Sequence, residues 1–252
     1  VRGLTVCEGS VGDAALVQNC LDRFRPEVVI HAAASYKDPD NWREDALTNV
    51  VGSANVAKAA EFFSARRLIN FQTALCYGRP HQLPIPVDHA LAPFTSYGIT
   101  KTAGEQLMLL SKIPALSLRI ANVNGPRLAI GPIPTFYKRL KAGQKCFCSD
   151  TARDFIHMDD FLDFMDQAVA GDAPIGIFNI SSGEAHSIKE IFDLVAQHLQ
   201  LPSGDVPIVP PAADDVPVVS LDPSETFRQF GWKVKIGFAE TIRRQLQWYG
   251  IY

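Results

Sequence analysis

Over its first two-thirds the chain alternates short β-branched or apolar runs with amphipathic stretches of helical period, and this alternation narrows the possible folds to very few. Leu4 to Glu8 reads as a strand followed by a turn at Gly9-Ser10. Asp13 then caps a helix whose apolar positions are Ala14, Leu16, Val17, Leu21 and Phe24. Val28-Val29-Ile30-His31 opens as an uninterrupted apolar strand, of the kind that a parallel sheet buries on both faces. A polar loop from Ser35 to Asp45 leads into a helix through Leu47, Val50, Val51, Ala54, Val56 and Ala57. Leu68–Phe71 and Ala115–Ile120 are further strands; between them lie a Pro-rich loop and a helix from about Ser96 to Leu110. Such repeated alternation specifies an α/β fold with a doubly wound parallel sheet and right-handed crossovers. Beyond Gly125 the pattern loosens. Helices are expected near Pro134–Lys141, Asp159–Ala170, Ser187–Leu199 and Phe238–Tyr249, an arrangement suited to a cap over the sheet.

Composition limits what such a sheet can serve. Hydrophobic residues make up 47% of the chain, charged residues 20%, and the formal net charge is -3, so the chain has an ordinary core and no basic footprint for nucleic acid. No apolar run approaches the ~20 residues a bilayer requires, and no signal peptide opens the chain. The expectation is a cytoplasmic protein with neither nucleic acid nor membrane as partner. Of the five cysteines only Cys146 and Cys148 lie close together, and no second ligand pair follows at metal spacing. No metal is expected, and the thiols read as reduced.

Tyr97-Gly98-Ile99-Thr100-Lys101 sets a phenol and an ammonium one helical turn apart, about 6 Å along the axis. Free tyrosine titrates near pH ~10, and a neighbouring cation favours its phenolate, so the spacing suits an acid/base pair. The same spacing recurs at Tyr137–Lys141, and context has to choose. The strand Leu68–Phe71 runs into Gln72-Thr73, and a hydroxyl at the carboxyl end of a parallel strand faces the crevice where doubly wound sheets bind ligands. No such strand precedes Tyr137, which reads as packing beside Phe136 and Leu140.

In order along the chain stand Val28 to Ala34, Thr73 to Gly78, Tyr97 to Lys101, Arg119-Ile120-Ala121-Asn122 and Arg153-Asp154-Phe155-Ile156-His157. Together with Asn179 to Gly183 and the closing Leu221 to Trp232, they resemble the NAD-dependent epimerase/dehydratase family of extended short-chain dehydrogenases/reductases, whose best-known members are the UDP-glucose/galactose 4-epimerases. The resemblance implies a Rossmann-like dinucleotide-binding part over residues 1–125, with a return of the chain around 153–182. A smaller substrate-binding cap would comprise 126–152 and 183–252. It implies that Thr73 hydrogen-bonds the reacting hydroxyl, that Tyr97 is the base, and that Lys101 holds the nicotinamide ribose. Ser10 and Val11 would lie beside adenine, Ala32, Ala33 and Ala34 along the dinucleotide, Asn49 near the cofactor and Ala121 by the nicotinamide. Asn122 and Arg153 would contact the pyrophosphate of a nucleotide sugar. For Arg153 the competing reading is a salt bridge with Asp154 or Asp159, for Asn49 a support for the next loop, and for Asn122 a turn. His31 reads as a satisfied histidine at a strand end. The cofactor implied is NAD, with NADP left open, and homodimers would pair through the helices Leu47–Phe63 and Ser96–Leu110.

Three departures qualify the resemblance. The family's Gly-rich phosphate turn is absent, and the chain starts at Val1 as though entered part-way through the fold, at least a ~30-residue βαβ unit late. A polypeptide beginning there is expected to bind a dinucleotide weakly. Pro211-Ala212-Ala213-Asp214-Asp215 carries no Arg where UDP-sugar members often have one. Finally, Thr73 is followed by Ala74-Leu75, without the carboxylates that dehydrating and decarboxylating members place there. What remains is reversible hydride transfer: epimerisation through a 4-keto sugar, or reduction of a keto-sugar. The alternative outside enzymology is a binding module that has kept the fold and lost activity.

Overall fold

The computed structural model describes residues 3–202 and 204–251; Val1 and Tyr252, the ends of the expected dinucleotide-binding part and cap, lie outside the described residues. In chain order the elements begin with α1 (Ala14–Phe24), β1 (Val28–His31), α2 (Trp42–Asp45), a π-helical turn (Ala46–Val51), α3 (Gly52–Phe62), β2 (Arg67–Thr73) and a 3-10 turn (Ala74–Tyr77). They continue with α4 (Ser96–Leu109), β3 (Ala115–Ile120), β4 (Asn122–Asn124), α5 (Pro132–Lys141), β5 (Cys148–Ser149), β6 (Ala152–His157) and α6 (Met158–Ala168). The remainder is β7 (Gly176–Ile180), β8 (Ala185–Ser187), α7 (Ile188–His198), β9 (Ile208–Val209), β10 (Val218–Val219), α8 (Ser224–Phe230) and α9 (Phe238–Ile251).

The main sheet has the order β1-β2-β3-β7, with β1 and β2 parallel and Val28 opposite Arg67. Contacts divide the chain into two compact units. One comprises residues up to Gly78 with Ala90–Arg119 and Ala168–Phe178; the other comprises Arg79–His89, Ile120–Gln167 and Asn179 onward. The division differs from the expected boundaries. Residues 79–89 and 153–167 belong with the second unit, which holds slightly more of the chain than the first although the cap was expected to be the smaller.

Local chemistry explains the elements of the first unit. Asp13 Oδ1 accepts from the amides of Ala15 (3.0 Å) and Leu16 (3.1 Å), closing the free N-terminal donors of α1, and Arg25 ends the helix in the left-handed region at φ 42°. α1, α3 and α4 pack on the sheet through Val17, Val56, Ala57, Leu68 and Met108. Gly104 permits one of these approaches. A Cβ there would lie 2.2 Å from the Asn49 carbonyl oxygen and 2.6 Å from Ser53 Oγ. Gly78 (φ 68°) turns the chain after β2, where a Cβ would lie 1.9 Å from the Ala92 oxygen.

Three expectations are corrected here. Leu4–Glu8 forms no strand: no described segment offers it a ladder, and Leu4 and Val6 remain exposed. β1 is not buried on both faces, since Ile30 is 46% exposed. The expected polar loop to Asp45 ends early, because Asn41 Oδ1 caps Glu44 N at 3.2 Å and starts α2 at Trp42. The helix then widens through the π-helical turn before continuing as α3.

The second unit is built on β6, which pairs in parallel with β4 and β10 and antiparallel with β8. Its core joins Ile133 and Phe136 of α5, Phe155 of β6, Ile191, Phe192 and Val195 of α7, and Ile242 and Leu246 of α9. Asp154, in β6, is a buried carboxylate that accepts from Ser182 N (2.9 Å), Ser182 Oγ (2.6 Å), Gly183 N (3.1 Å) and Leu221 N (3.2 Å). Burial raises its pKa despite those four donors. One side chain thus holds the segments around 182 and 221 against β6.

Candidate active site

In the first unit, the carboxyl end of β2 organises a cluster of polar groups. Thr73 caps the following 3-10 turn, accepting from Leu75 N at 3.2 Å, and its hydroxyl is near enough to the Tyr97 phenol to lower the phenol's pKa. Two residues earlier, the Phe71 carbonyl accepts from Lys101 Nζ at 2.6 Å. Between them, Gln72 Nε2 donates to the Lys101 carbonyl at 2.9 Å while Gln72 Oε1 accepts from Thr73 N at 2.7 Å. Three consecutive residues of β2 therefore fix both members of the Tyr97–Lys101 pair on α4, whose first turn Thr95 caps through Gly98 N (3.1 Å). Thr73, Tyr97 and Lys101 are brought together.

Burial sets the electrostatics. It pushes the Tyr97 phenol up to about 12, opposed by the Thr73 hydrogen bond and reinforced by Tyr36 and Asp45. It also pushes the Lys101 ammonium down to about 8, opposed by the charge of Glu105. The Tyr36 and Tyr97 ring centroids lie 6.0 Å apart, which brings Tyr36 to the site from the irregular loop. His31 is buried and falls to about 4, first through burial and then through the charge of Lys101. The Ser53 hydroxyl donates to the Asn49 carbonyl at 2.6 Å, so its oxygen accepts from His31 Nε2 at 3.1 Å. His31 is a satisfied, neutral histidine.

Asn49, fully buried in the π-helical turn, uses its whole amide. Oδ1 accepts from Ser35 N (2.9 Å), and Nδ2 donates to Ser35 O and Thr100 Oγ1 (3.0 Å each). Asp45 adds two hydrogen bonds, from Ser35 Oγ (2.8 Å) and Ser96 Oγ (2.7 Å). These pin the loop after Ala34 to the start of α4. Asn49 thereby supports the loop after Ala34, both of its amide hydrogens being donated within the protein. A cavity of about 230 Å³ opens beside this loop, lined by Ser10, Val11, His31, Ala32 and Ala33 together with residues of α1. Ser10 accepts from Gly12 N at 3.1 Å. Ala34 does not line this cavity.

The second unit contains a cavity of about 370 Å³ lined by Asn122, Arg139, Phe147, Arg153, Phe155 and Asp215, among others. Asn122 Nδ2 donates to Asp154 O at 3.0 Å. Arg153 pairs with Asp215, and neither acid weighed from sequence takes that place: Asp154 faces Ser182, Gly183 and Leu221, and Asp159 faces Arg244. Burial lowers the Arg153 pKa while Asp215 opposes the shift. Ala121 lines neither cavity, and its amide donates to Ile180 O at 2.9 Å. The second Tyr-x-x-x-Lys has no comparable surroundings. Tyr137 packs on Tyr249 with centroids 5.2 Å apart, and its phenol meets Lys141 Nζ at 3.4 Å on an exposed helix face.

Two functional candidates escaped the sequence reading. Asp215 stood in a segment noted only for its missing Arg. Glu105, four residues past Lys101, completes the series Tyr97, Lys101, Glu105 on one face of α4; its spacing was the available signal.

A doubly wound sheet with a Thr–Tyr–Lys cluster at a strand end defines a nicotinamide-dependent oxidoreductase of the short-chain type. The chain belongs to the NAD-dependent epimerase/dehydratase family, whose sequence profile matches residues 1–181. It is similar to the UDP-glucose 4-epimerase of Mycolicibacterium smegmatis, with 29% identity over 246 residues that cover 91% of this chain and 78% of the relative. Among solved structures it resembles the Bordetella bronchiseptica enzyme WbmG in complex with NAD and UDP, at 61% identity and TM-score 0.98, covering all of this chain and 82% of that one. The B. bronchiseptica enzyme WbmH in complex with NAD+ follows at 40% identity and TM-score 0.92, with 85% of its chain covered.

Proposed function

We propose that the protein interconverts two nucleotide-activated sugars that differ at one carbinol, through a 4-keto sugar, with NAD as the hydride carrier. The observation that carries this reading is the single cluster at the carboxyl end of β2, where Thr73 lowers the pKa of the neighbouring Tyr97 phenol and the Phe71 carbonyl holds Lys101 Nζ at 2.6 Å. The residues present fit part of the cofactor, the Gly-rich phosphate turn not being among them. The side chains of Ser10, Val11, Ala32 and Ala33 around the 230 Å³ cavity are small enough to let a dinucleotide approach the backbone. NAD would supply a reversible hydride acceptor at this site. Thr73 orients the substrate hydroxyl, Tyr97 as phenolate takes its proton and as phenol later gives it back, and Lys101 keeps a positive charge beside that phenolate. Taken by itself, the second unit offers Arg153 and Asn122 as a lining suited to a nucleotide diphosphate, and the similar WbmG was solved with UDP. Carboxylates being absent after Thr73, water loss is not part of the cycle.

The test is proton NMR of a UDP-sugar incubated with enzyme and NAD. Interconversion of two epimers without net NADH formation is expected. Tyr97→Phe should lower turnover by about 10²- to 10⁴-fold with an unchanged circular dichroism spectrum; unchanged turnover removes the assignment.

We further propose a homodimer through α3 and α4. Phe62 (79% exposed), Leu107 and Leu110 (78% exposed) leave an apolar surface there, beside a shallow cavity of about 130 Å³ lined by Ala54, Ala57 and Leu107. No helix among the described residues is long and apolar enough to cross a membrane. The five free cysteines support a place in the reducing cytoplasm.

A further inference from the structure

The segment 125–131 joins β4 to α5, and the cavity of the second unit is met at both of its ends. Asn122 of β4 lines that cavity just before the segment begins, and Gly131 and Pro132 line it where the segment gives way to α5. In between, the chain runs over the surface. Pro126, Arg127, Ala129 and Ile130 are exposed, and the backbone folds into one turn in which Leu128 N donates to Gly125 O at 3.3 Å around Arg127, whose φ is 70°. Leu128 is half-buried, and its carbonyl accepts from the Tyr249 hydroxyl, which reaches it from the last turn of α9.

The surroundings prepare the Tyr249 phenol to be a donor. Gln245, one turn earlier on α9 and fully buried, donates Nε2 to the phenol oxygen at 2.6 Å. With that oxygen accepting, the phenol has its own proton to give to Leu128 O. The same orientation leaves Gln245 Oε1 buried without a hydrogen-bond partner among the described residues. Turned the other way, the amide oxygen would compete with Leu128 for the phenol proton. The Tyr249 ring meanwhile lies on Tyr137 of α5, with centroids 5.2 Å apart, and Tyr137 packs on the core that contains Phe136. Phe136 in turn lines the cavity. Tyr249 therefore touches both the segment and the helix that follows it.

We propose that Tyr249 is a positioning residue for the nucleotide: by tying Leu128 to α5 it holds the cavity rim at Gly131 and Pro132 in the shape that receives a nucleoside diphosphate. This rests on the reading of the second-unit cavity as the nucleotide site. The hydroxyl does what the ring alone cannot, because a ring can pack on Tyr137 while the segment beside it moves, whereas a hydrogen bond fixes one carbonyl at one place. The second Tyr-x-x-x-Lys acquires a use that involves no proton transfer. Tyr137 supplies the surface on which Tyr249 rests, and Lys141 stays at the exposed edge, 3.4 Å from the Tyr137 phenol.

Tyr249→Phe tests this, since it keeps the ring on Tyr137 and removes the hydroxyl alone; circular dichroism checks the fold. UDP affinity, measured by isothermal titration calorimetry, should weaken by about 3- to 10-fold, the worth of one hydrogen bond. KM for the nucleotide sugar should rise by a similar factor with kcat unchanged, a division that a general loss of structure would not produce. Hydrogen–deuterium exchange over residues 127–131 should quicken in the variant, and in the parent protein UDP should slow it. A UDP affinity equal to the parent's in the folded variant overturns the inference, as does exchange over 127–131 that UDP leaves unchanged in the parent. Parent protein that binds no UDP would instead overturn the reading on which the inference rests.

Discussion

Tyr97 stands between burial, which holds its proton, and the Thr73 hydroxyl, which loosens it. Removing that hydroxyl has a definite sign. Thr73→Val raises the Tyr97 pKa further, so the acidic limb of the turnover–pH profile should shift to higher pH, and turnover at neutrality should fall by about 10²-fold or more. A profile with its limb unmoved would separate Thr73 from the base. His31 carries a second pH effect, this one on stability. Its pKa drops from an ordinary ~6.5 to about 4 on folding, so between those values the unfolded chain binds more protons. Its contribution is therefore intact above pH ~6.5 and is lost as pH falls toward 4, by roughly 3 kcal/mol at most. Urea midpoints taken at several pH values should decline less steeply in His31→Gln than in the parent protein.

Helix α4 serves two sides at once, and its sequence is divided accordingly. Tyr97, Lys101 and Glu105 mark one face, while Thr100 and Gly104 meet the π-helical turn. Gly104 lets two magnitudes compete. Alanine in place of glycine gains about 1 kcal/mol of helix propensity. Its Cβ, however, would sit 2.2 Å from backbone oxygen that cannot rotate away. Overpacking of that kind costs about 1 to 3 kcal/mol, so Gly104→Ala should lower the melting temperature, and a rise would show that the π-helical turn yields. Most elements were legible in sequence because side-chain periodicity records which face is buried: α1, α4, β3 and α7 fall within a residue or so of expectation. Leu4–Glu8 misled because a strand's pattern does not reveal whether a neighbour exists to complete its ladder. The π-helical turn was invisible for a related reason. Widening depends on backbone hydrogen bonding and on Asn49 reaching Ser35, neither of which alters hydrophobic period. At the site, Thr73, Tyr97 and Lys101 could be read because they lie on two adjacent elements. The Arg153–Asp215 pair could not, since 62 residues separate its members.

At the scale of the molecule, the apolar surface on α3 and α4 and the charged cavity of the second unit ask for different partners. Leu110→Glu places a charge on a side chain that is 78% exposed, where a monomer would tolerate it. Sedimentation velocity should show it lowering the dimer fraction without changing the fold, and a sedimentation coefficient equal to that of the parent protein would move the interface elsewhere. The cavity has a quieter consequence. An arginine that already clasps an aspartate is a selective host, because a visiting anion must displace a resident one before it gains anything. Weakly charged or poorly shaped visitors cannot recover that cost, whereas a diphosphate offering several oxygens to the guanidinium fork can. If Arg153 takes the diphosphate as proposed, Asp215 is the group that the common anions of the cell must displace. Inorganic phosphate should compete with nucleotide in Asp215→Asn at concentrations that leave the parent protein indifferent.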